Sequence, residues 1–209
     1  MKLFLSSAAL TPLQSQALVE LAGKANPENV TIALIEDAAD PYPDYKRYWM
    51  YENRSSIQLQ GFVVDVVHIS EYKDRPSDLR KRLAHADVIW LGGGNVYYLR
   101  WILRLTGAER IITDLAPHHI IAGSSAGAIV LGPSLHHFET ADTPTVAPDV
   151  IYDGLGLTPI VALPHWSSRK FGDKMKAIEK AHLDDHHTTV RLTDEQALVI
   201  HDGQQHLIG

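Results

Sequence analysis

Ile120-Ile121-Ala122-Gly123-Ser124-Ser125-Ala126-Gly127-Ala128-Ile129-Val130-Leu131 is the stretch on which the reading of this chain depends. Two apolar runs flank five residues that spell G-x-S-x-G, with Ser125 at the centre. A serine on a sharp turn from a buried strand into a helix has its hydroxyl pushed out of the sheet. The helix start below it offers unpaired N–H groups suited to an oxyanion. Glycine on either side removes the Cβ atoms that would crowd such a turn. Serine and glycine also build ordinary connecting loops, so the nucleophile reading needs support from the rest of the chain.

Working outward, short β-rich runs alternate with longer segments of helical period. Strands are expected at Lys2 to Ser6, Val30 to Ile35, Val63 to Ile69, Val88 to Leu91, Ile120 to Ala122 and Ile160 to Leu163. Helices are expected at Thr11 to Ala25, Tyr45 to Gly61, Pro76 to Ala84, Val96 to Leu105 and Arg169 to Leu183, the first capped by Thr11 with Pro12 at its first position. This alternation predicts an α/β fold with a mostly parallel central sheet. Several strands are apolar at nearly every position, which predicts helices on both faces. Asp202-Gly203, between Gln196 to His201 and Gln204 to Ile208, signals a short C-terminal β-hairpin. From Gly132 to Thr158 the chain is proline-punctuated and has no helical period, the kind of long irregular segment that often carries function.

A length of 209 residues fits a single domain, 1–209. Acidic residues outnumber basic ones 25 to 19, the formal charge is −6, and no basic run stands out, so nucleic acid is not an expected partner. The absence of cysteine excludes disulfides, zinc–thiolate sites and a thiol nucleophile together. The opening Met1-Lys2-Leu3-Phe4-Leu5-Ser6-Ser7 superficially resembles a secretory signal. Its apolar part of about four residues falls short of the usual 7–15, so a first buried strand is expected instead. No run approaches the ~20 apolar residues of a membrane span. A cytoplasmic protein without membrane attachment is the expectation.

Leu91-Gly92-Gly93-Gly94-Asn95 closes one expected strand and opens a helix. It belongs to the same crevice as Ser125, because parallel sheets place their sites at the carboxyl ends of strands. An N–H from Gly93 or Gly94 is expected to join that of Ala126 in an oxyanion hole. The loop lacks a third glycine at Tyr97 and lacks the Gly-Lys-Ser/Thr of a phosphate loop, which argues against a nucleotide. Among twelve histidines, His165 in Ala162-Leu163-Pro164-His165-Trp166 follows a buried strand and is the candidate base. The doublets His118-His119, His136-His137 and His186-His187 stand in polar surroundings. His182 and His186 have i, i+4 spacing but no evident third ligand, so neither a metal nor an organic cofactor is expected. An orienting acid is sought among Glu139, Asp142 and Asp149, in the chain order Ser, acid, His, and spacing does not choose between them.

Taken together, the G-G-G-N loop, Gly123-Ser124-Ser125-Ala126-Gly127-Ala128 and Pro164-His165-Trp166 resemble the dipeptidase E family of serine peptidases, with cyanophycinases as more distant relatives. The likeness extends in motif order and spacing over nearly the whole chain. It implies a class I glutamine amidotransferase-like sheet with serine in place of the amidotransferase cysteine, and hydrolysis of short peptides with an N-terminal aspartate. It makes Ser125 the nucleophile, His165 the base and Gly92 to Gly94 the oxyanion loop. The family acid falls on Thr140, so Glu139 is expected as the third member, with Asp142 as the alternative. Val96 and Ser124 depart from the threonine and the aromatic frequent at those positions.

Aspartate specificity calls for a cation. Arg169 is the first candidate for the substrate carboxylate, ahead of Arg54 and Lys170, and Asn95 is a second candidate substrate contact. The expected activity is a serine dipeptidase acting on small peptides as a monomer or homodimer. A catalytically silent amidotransferase-like binding module, or an esterase or acyl hydrolase, are the alternatives.

Overall fold

The apolar runs at β1 (Lys2–Ser6), β2 (Thr31–Ile35), β3 (Val63–Val67), β4 (Val88–Leu91) and β5 (Ile120–Ser124) are strands in the computed structural model, which describes residues 1–209. They lie parallel in the order β3-β2-β4-β5-β1. A strand at Ala197–His201 (β8) pairs antiparallel with β1, and one at Gln204–Ile208 (β9) pairs antiparallel with β8, completing a seven-stranded sheet. The expected hairpin is therefore present. Asp202 and Gly203 at its turn have φ of 51° and 77°, as a two-residue connection requires.

Alternate residues feed two apolar layers. Leu3, Leu5, Ile35, Ile89 and Leu91 face one layer, closed by α3 (Pro76–Ala84), α4 (Val96–Leu105), α5 (Ala108–Leu115), α6 (Ala126–Val130) and α7 (Gly172–Asp184). Phe4, Ile32, Leu34, Val88 and Trp90 face the other, where α1 (Pro12–Ala22) and α2 (Tyr48–Leu59) contribute Leu18, Leu21 and Ile57. Coverage on both sides is why these strands show no polar alternation. Phe4 and Trp90 are fully buried with ring centroids 5.8 Å apart, and truncating either to alanine is worth about 3–5 kcal/mol. Helix α1 starts where its sequence said. Thr11 accepts from Gln14 N–H, the Gln14 side chain accepts from Thr11 N–H, and Gly23 ends the helix at φ 66°.

The largest departures from expectation are three, beside shorter ends at β3, which stops at Val67, at α1, which stops at Ala22, and at α7, which starts at Gly172. The run Ile160–Leu163 (β6) is not in the central sheet; it pairs in parallel with Thr188–Arg191 (β7), a strand whose half-polar sequence, Thr-Thr-Val-Arg, hides it. Helix α5 was not expected at all. Helix α2 begins at Tyr48, after a separate 3-10 turn at Asp44–Lys46. The proline-punctuated segment folds back on the α6 region, Leu155 N–H donating to Val130 O at 2.7 Å and Leu157 N–H to Leu131 O at 3.0 Å. No helix is long and apolar enough to cross a membrane.

Candidate active site

The chain turns so sharply after β5 that Ser125 adopts φ 52° and ψ −115°, a conformation that typically costs an L-residue about 1–3 kcal/mol. Hydrogen bonds hold it there. Ser125 N–H donates to Ser6 O at 3.1 Å, and Ser125 O accepts from Ala128 N–H at 2.9 Å and Ile129 N–H at 3.0 Å. The flanking glycines are sterically required. A Cβ on Gly123 would lie 2.3 Å from the Gly127 carbonyl, and one on Gly127 would lie 1.9 Å from Leu91 O. Helix α6 has only five residues, so its dipole is small, and the usable feature is the Ala126 N–H, which has no intrahelical acceptor.

Strand β6 ends at Leu163, and Pro164 delivers His165 in a left-handed conformation, φ 58°. Its Nε2 lies 2.9 Å from Ser125 Oγ, and its Nδ1 lies 2.6 Å from Asp194 Oδ1. Phe171 packs against the imidazole at a centroid distance of 5.3 Å and an interplanar angle of 29°. Asp194 belongs to the turn between β7 and β8. That turn is fixed by Gln196 N–H to Thr193 O (2.9 Å), Thr193 N–H to Gln196 Oε1 (3.1 Å) and Gln14 Nε2 to Glu195 O (2.8 Å). Ser125, His165 and Asp194 thus form one hydrogen-bonded line, with the geometry of a nucleophile, a base and an orienting carboxylate.

This line opens on a cleft of about 340 Å³ whose lining includes Tyr48, Trp49, Phe138, Phe171 and Met175. Gly93 and Gly94 line it. A Cβ on Gly94 would come within 2.1 Å of Ala38 O, so that position needs glycine, and one on Gly93 would sit tightly at 3.3 Å from Ser125 Cβ. Neither glycine N–H is taken up by another group of the protein, and Gly93 lies directly against Ser125. Asp142 also faces the cleft. Burial pushes its carboxyl up to about 6, against the pull of the Val96 N–H that it accepts at 2.8 Å and of the Lys170 and Lys174 charges. Burial, aided by the Asp142 charge, pushes the Tyr42 phenol up to about 12. Lys170 is the lysine of the cleft wall.

The acid expected from the sequence is corrected. Glu139 is exposed on the 3-10 turn Phe138–Thr140 and makes no hydrogen bond to His165, Asp149 is likewise exposed, and Asp142 spends one oxygen on the start of α4. The reason is topological: segment 132–158 is tied to α4 and α6 by Val96 N–H to Asp142, Leu155 N–H to Val130 O and Leu157 N–H to Leu131 O, while His165 Nδ1 is met by Asp194. The acid at His165 follows the unrecognised β7, so it stands at the carboxyl end of a parallel strand, as Ser125 and His165 do. Recognising β7 was the one signal that singled Asp194 out.

Two expected substrate contacts are corrected as well. Asn95 is buried and caps α4, Oδ1 accepting from Tyr98 N–H at 2.9 Å and Nδ2 donating to Thr143 O at 3.1 Å, so both ends of its amide are occupied. Arg169 is exposed outside the cleft, three residues before α7 begins. Arg54 is held by both carboxylate oxygens of buried Glu36. Ser124 Oγ accepts from Asn53 Nδ2 at 3.0 Å and Trp90 Nε1 at 3.3 Å. His182 and His186 do not share a helix face, because α7 ends at Asp184 and His186 is left-handed at φ 62°.

Comparison with known proteins identifies the family and the fold. The model for peptidase family S51 matches residues 3–208. The uncharacterized peptidase Lin0382 of Listeria innocua is 27% identical, the alignment covering 94% of each chain. A protein named Peptidase E from Streptomyces coelicolor is 36% identical over 86 residues, 41% of this chain and 34% of that protein. The crystal structure of a candidate peptidase E protein from Listeria monocytogenes EGD-e superposes with a TM-score of 0.83 at 22% identity, covering 99% of this chain and 96% of that one. A peptidase from an acI-B1 actinobacterium superposes at 0.71 and 19% identity, covering 100% and 87%. Both share the fold.

Proposed function

The chain belongs to peptidase family S51 and is a peptidase hydrolase, and we propose that it acts as one catalytic unit, a serine dipeptidase with Ser125, His165 and Asp194 as its triad. The observation that carries this reading is the unbroken contact from Asp194 Oδ1 through the His165 imidazole to Ser125 Oγ, at 2.6 Å and 2.9 Å. His165 Nε2 takes the Ser125 proton as Oγ attacks the peptide carbonyl. The Asp194 carboxylate stabilises the imidazolium that forms and holds its orientation. The developing oxyanion is met by the free N–H groups of Gly93 or Gly94 and of Ala126, and loss of one such donor typically costs about 100- to 1,000-fold. Nε2 then returns the proton to the leaving amine, and water hydrolyses the acyl-enzyme with the same base.

The cleft favours small peptides that carry an N-terminal acidic residue. Lys170 on its wall meets a side-chain carboxylate, and Asp142, ionised above about pH 6, meets the peptide's α-ammonium. The test is turnover of Asp-Leu, Ala-Leu and N-acetyl-Asp-Leu by the parent and by Ser125→Ala. Asp-Leu is expected to exceed Ala-Leu at least tenfold, the acetylated peptide to be inert, and Ser125→Ala to lose about 10⁶-fold in kcat. Equal rates for Asp-Leu and Ala-Leu overturn the acidic preference. A Ser125→Ala variant as fast as the parent overturns the nucleophile.

A further inference from the structure

The three triad residues lie on three separate loops, and the end of β1 touches all of them. Ser6 O accepts the Ser125 N–H at 3.1 Å. The Ser7 hydroxyl, fully buried, accepts the His165 backbone N–H at 2.7 Å and lies 3.2 Å from Asp194 Oδ1. Ser7 N–H donates to Gln196 O at 3.1 Å, two residues beyond Asp194. A hydroxyl carries one proton and two lone pairs. With a lone pair given to the His165 N–H, its proton is free to go to the Asp194 carboxylate, the same oxygen that meets His165 Nδ1.

We infer that Ser7 is a positioning residue: its hydroxyl clamps the base and its orienting acid to each other and to the sheet strand beside the nucleophile. The inference rests on the triad proposed above. His165 needs such a clamp. Its left-handed backbone, φ 58°, is unfavourable for a non-glycine residue, β6 and β7 are not hydrogen-bonded to the central sheet, and Asp194 is about half exposed, its side chain at 48%. The Ser7 hydroxyl is the side-chain tie from the central sheet to both residues at once. It makes no contact with the reacting atoms, so it acts through the alignment of His165 Nε2 on Ser125 Oγ.

The two serines that close the first apolar run of the sequence thereby acquire a role. Ser6 fixes the elbow through its carbonyl, which any residue supplies. Ser7 acts through its side chain, which alanine lacks.

The experiment labels the parent, Ser7→Ala, Ser7→Thr and Ser125→Ala with a fluorophosphonate probe, reading kinact and KI separately, with thermal melts as a control. The probe reacts at the serine hydroxyl whatever peptide the enzyme prefers. Ser7→Ala is expected to lower kinact about 10- to 100-fold, the scale of a misaligned reacting pair, with KI within twofold, and Ser7→Thr to recover most of the loss. Ser7→Ala labelling at the parent's rate, while Ser125→Ala does not label, overturns the clamp and leaves the triad standing. Undiminished labelling of Ser125→Ala overturns the triad itself. Should Ser7→Ala not fold, Ser7→Cys, of similar volume, is read in its place. Failure of both to fold overturns the proposal, because the hydroxyl then serves the fold and not the alignment.

Discussion

Two histidine–aspartate pairs in this molecule are alike in contact distance, backbone conformation and partial exposure. His165 meets Asp194 at 2.6 Å, and His137 meets Asp185 at 2.7 Å. Both histidines are left-handed, with φ of 58° and 71°, and both pairs are partly exposed. They differ in what meets the second ring nitrogen. His165 has Ser125 Oγ there at 2.9 Å, whereas the His137 ring packs edge-on against His182 at 5.1 Å, with no hydroxyl in reach. A carboxylate-paired imidazole and backbone strain therefore do not by themselves set the proposed triad apart. The strand-to-helix turn after β5 does, because it projects a hydroxyl toward one of the two rings.

The sharpest break of this comparison is Asp194→Asn against the parent. An amide at this position favours the wrong imidazole tautomer, and kcat for Asp-Leu is expected to fall about 10⁴-fold with the fold intact, measured by initial rates alongside circular dichroism. Asp142→Asn comes next, testing a cleft carboxyl that has no imidazole. Its pKa is about 6 in the folded protein against 3.8 for the free group, so the native state binds the proton more tightly, and stability contributed by that proton is lost as pH rises from about 4 to about 6. Asparagine keeps the acceptor for Val96 N–H and removes the buried charge. The variant is expected to gain about 1–3 kcal/mol at pH 8 and nothing at pH 3.5, read from thermal melts, while KM for Asp-Leu at pH 8 rises at least tenfold. The smallest effect belongs to Asp185→Asn. It removes the carboxylate from the second pair, and kcat and KM are both expected within twofold of the parent.

Much of this architecture was legible because it rests on local rules. β1 and β4 have the bounds their apolar runs suggest, α3 and α4 likewise, and Thr11-Pro12 marks the start of α1 through a capping box. β7 was not legible, since Thr188 to Arg191 is half polar and its parallel partner lies 28 residues earlier in register, Ile160 against Thr188. Asn95 misled for a different reason. A conspicuous polar residue after a glycine loop suits a substrate contact and a helix N-cap equally well, and in this chain it is the cap.

By itself the sequence determined the doubly covered parallel sheet, the glycine-walled elbow under Ser125 and the placement of His165 at a strand end. These follow from backbone sterics and from the solvation of short segments, which neighbouring residues settle. Only the tertiary structure decided which of 25 acidic residues meets the imidazole, which cation lines the cleft and which histidine–aspartate pair is given a hydroxyl. A carboxylate carries no local mark of its partner. Asp194 reaches His165 because β7 lies beside β6 and the turn after it is tied to β1, contacts between segments far apart in the chain whose energies no short window of sequence contains.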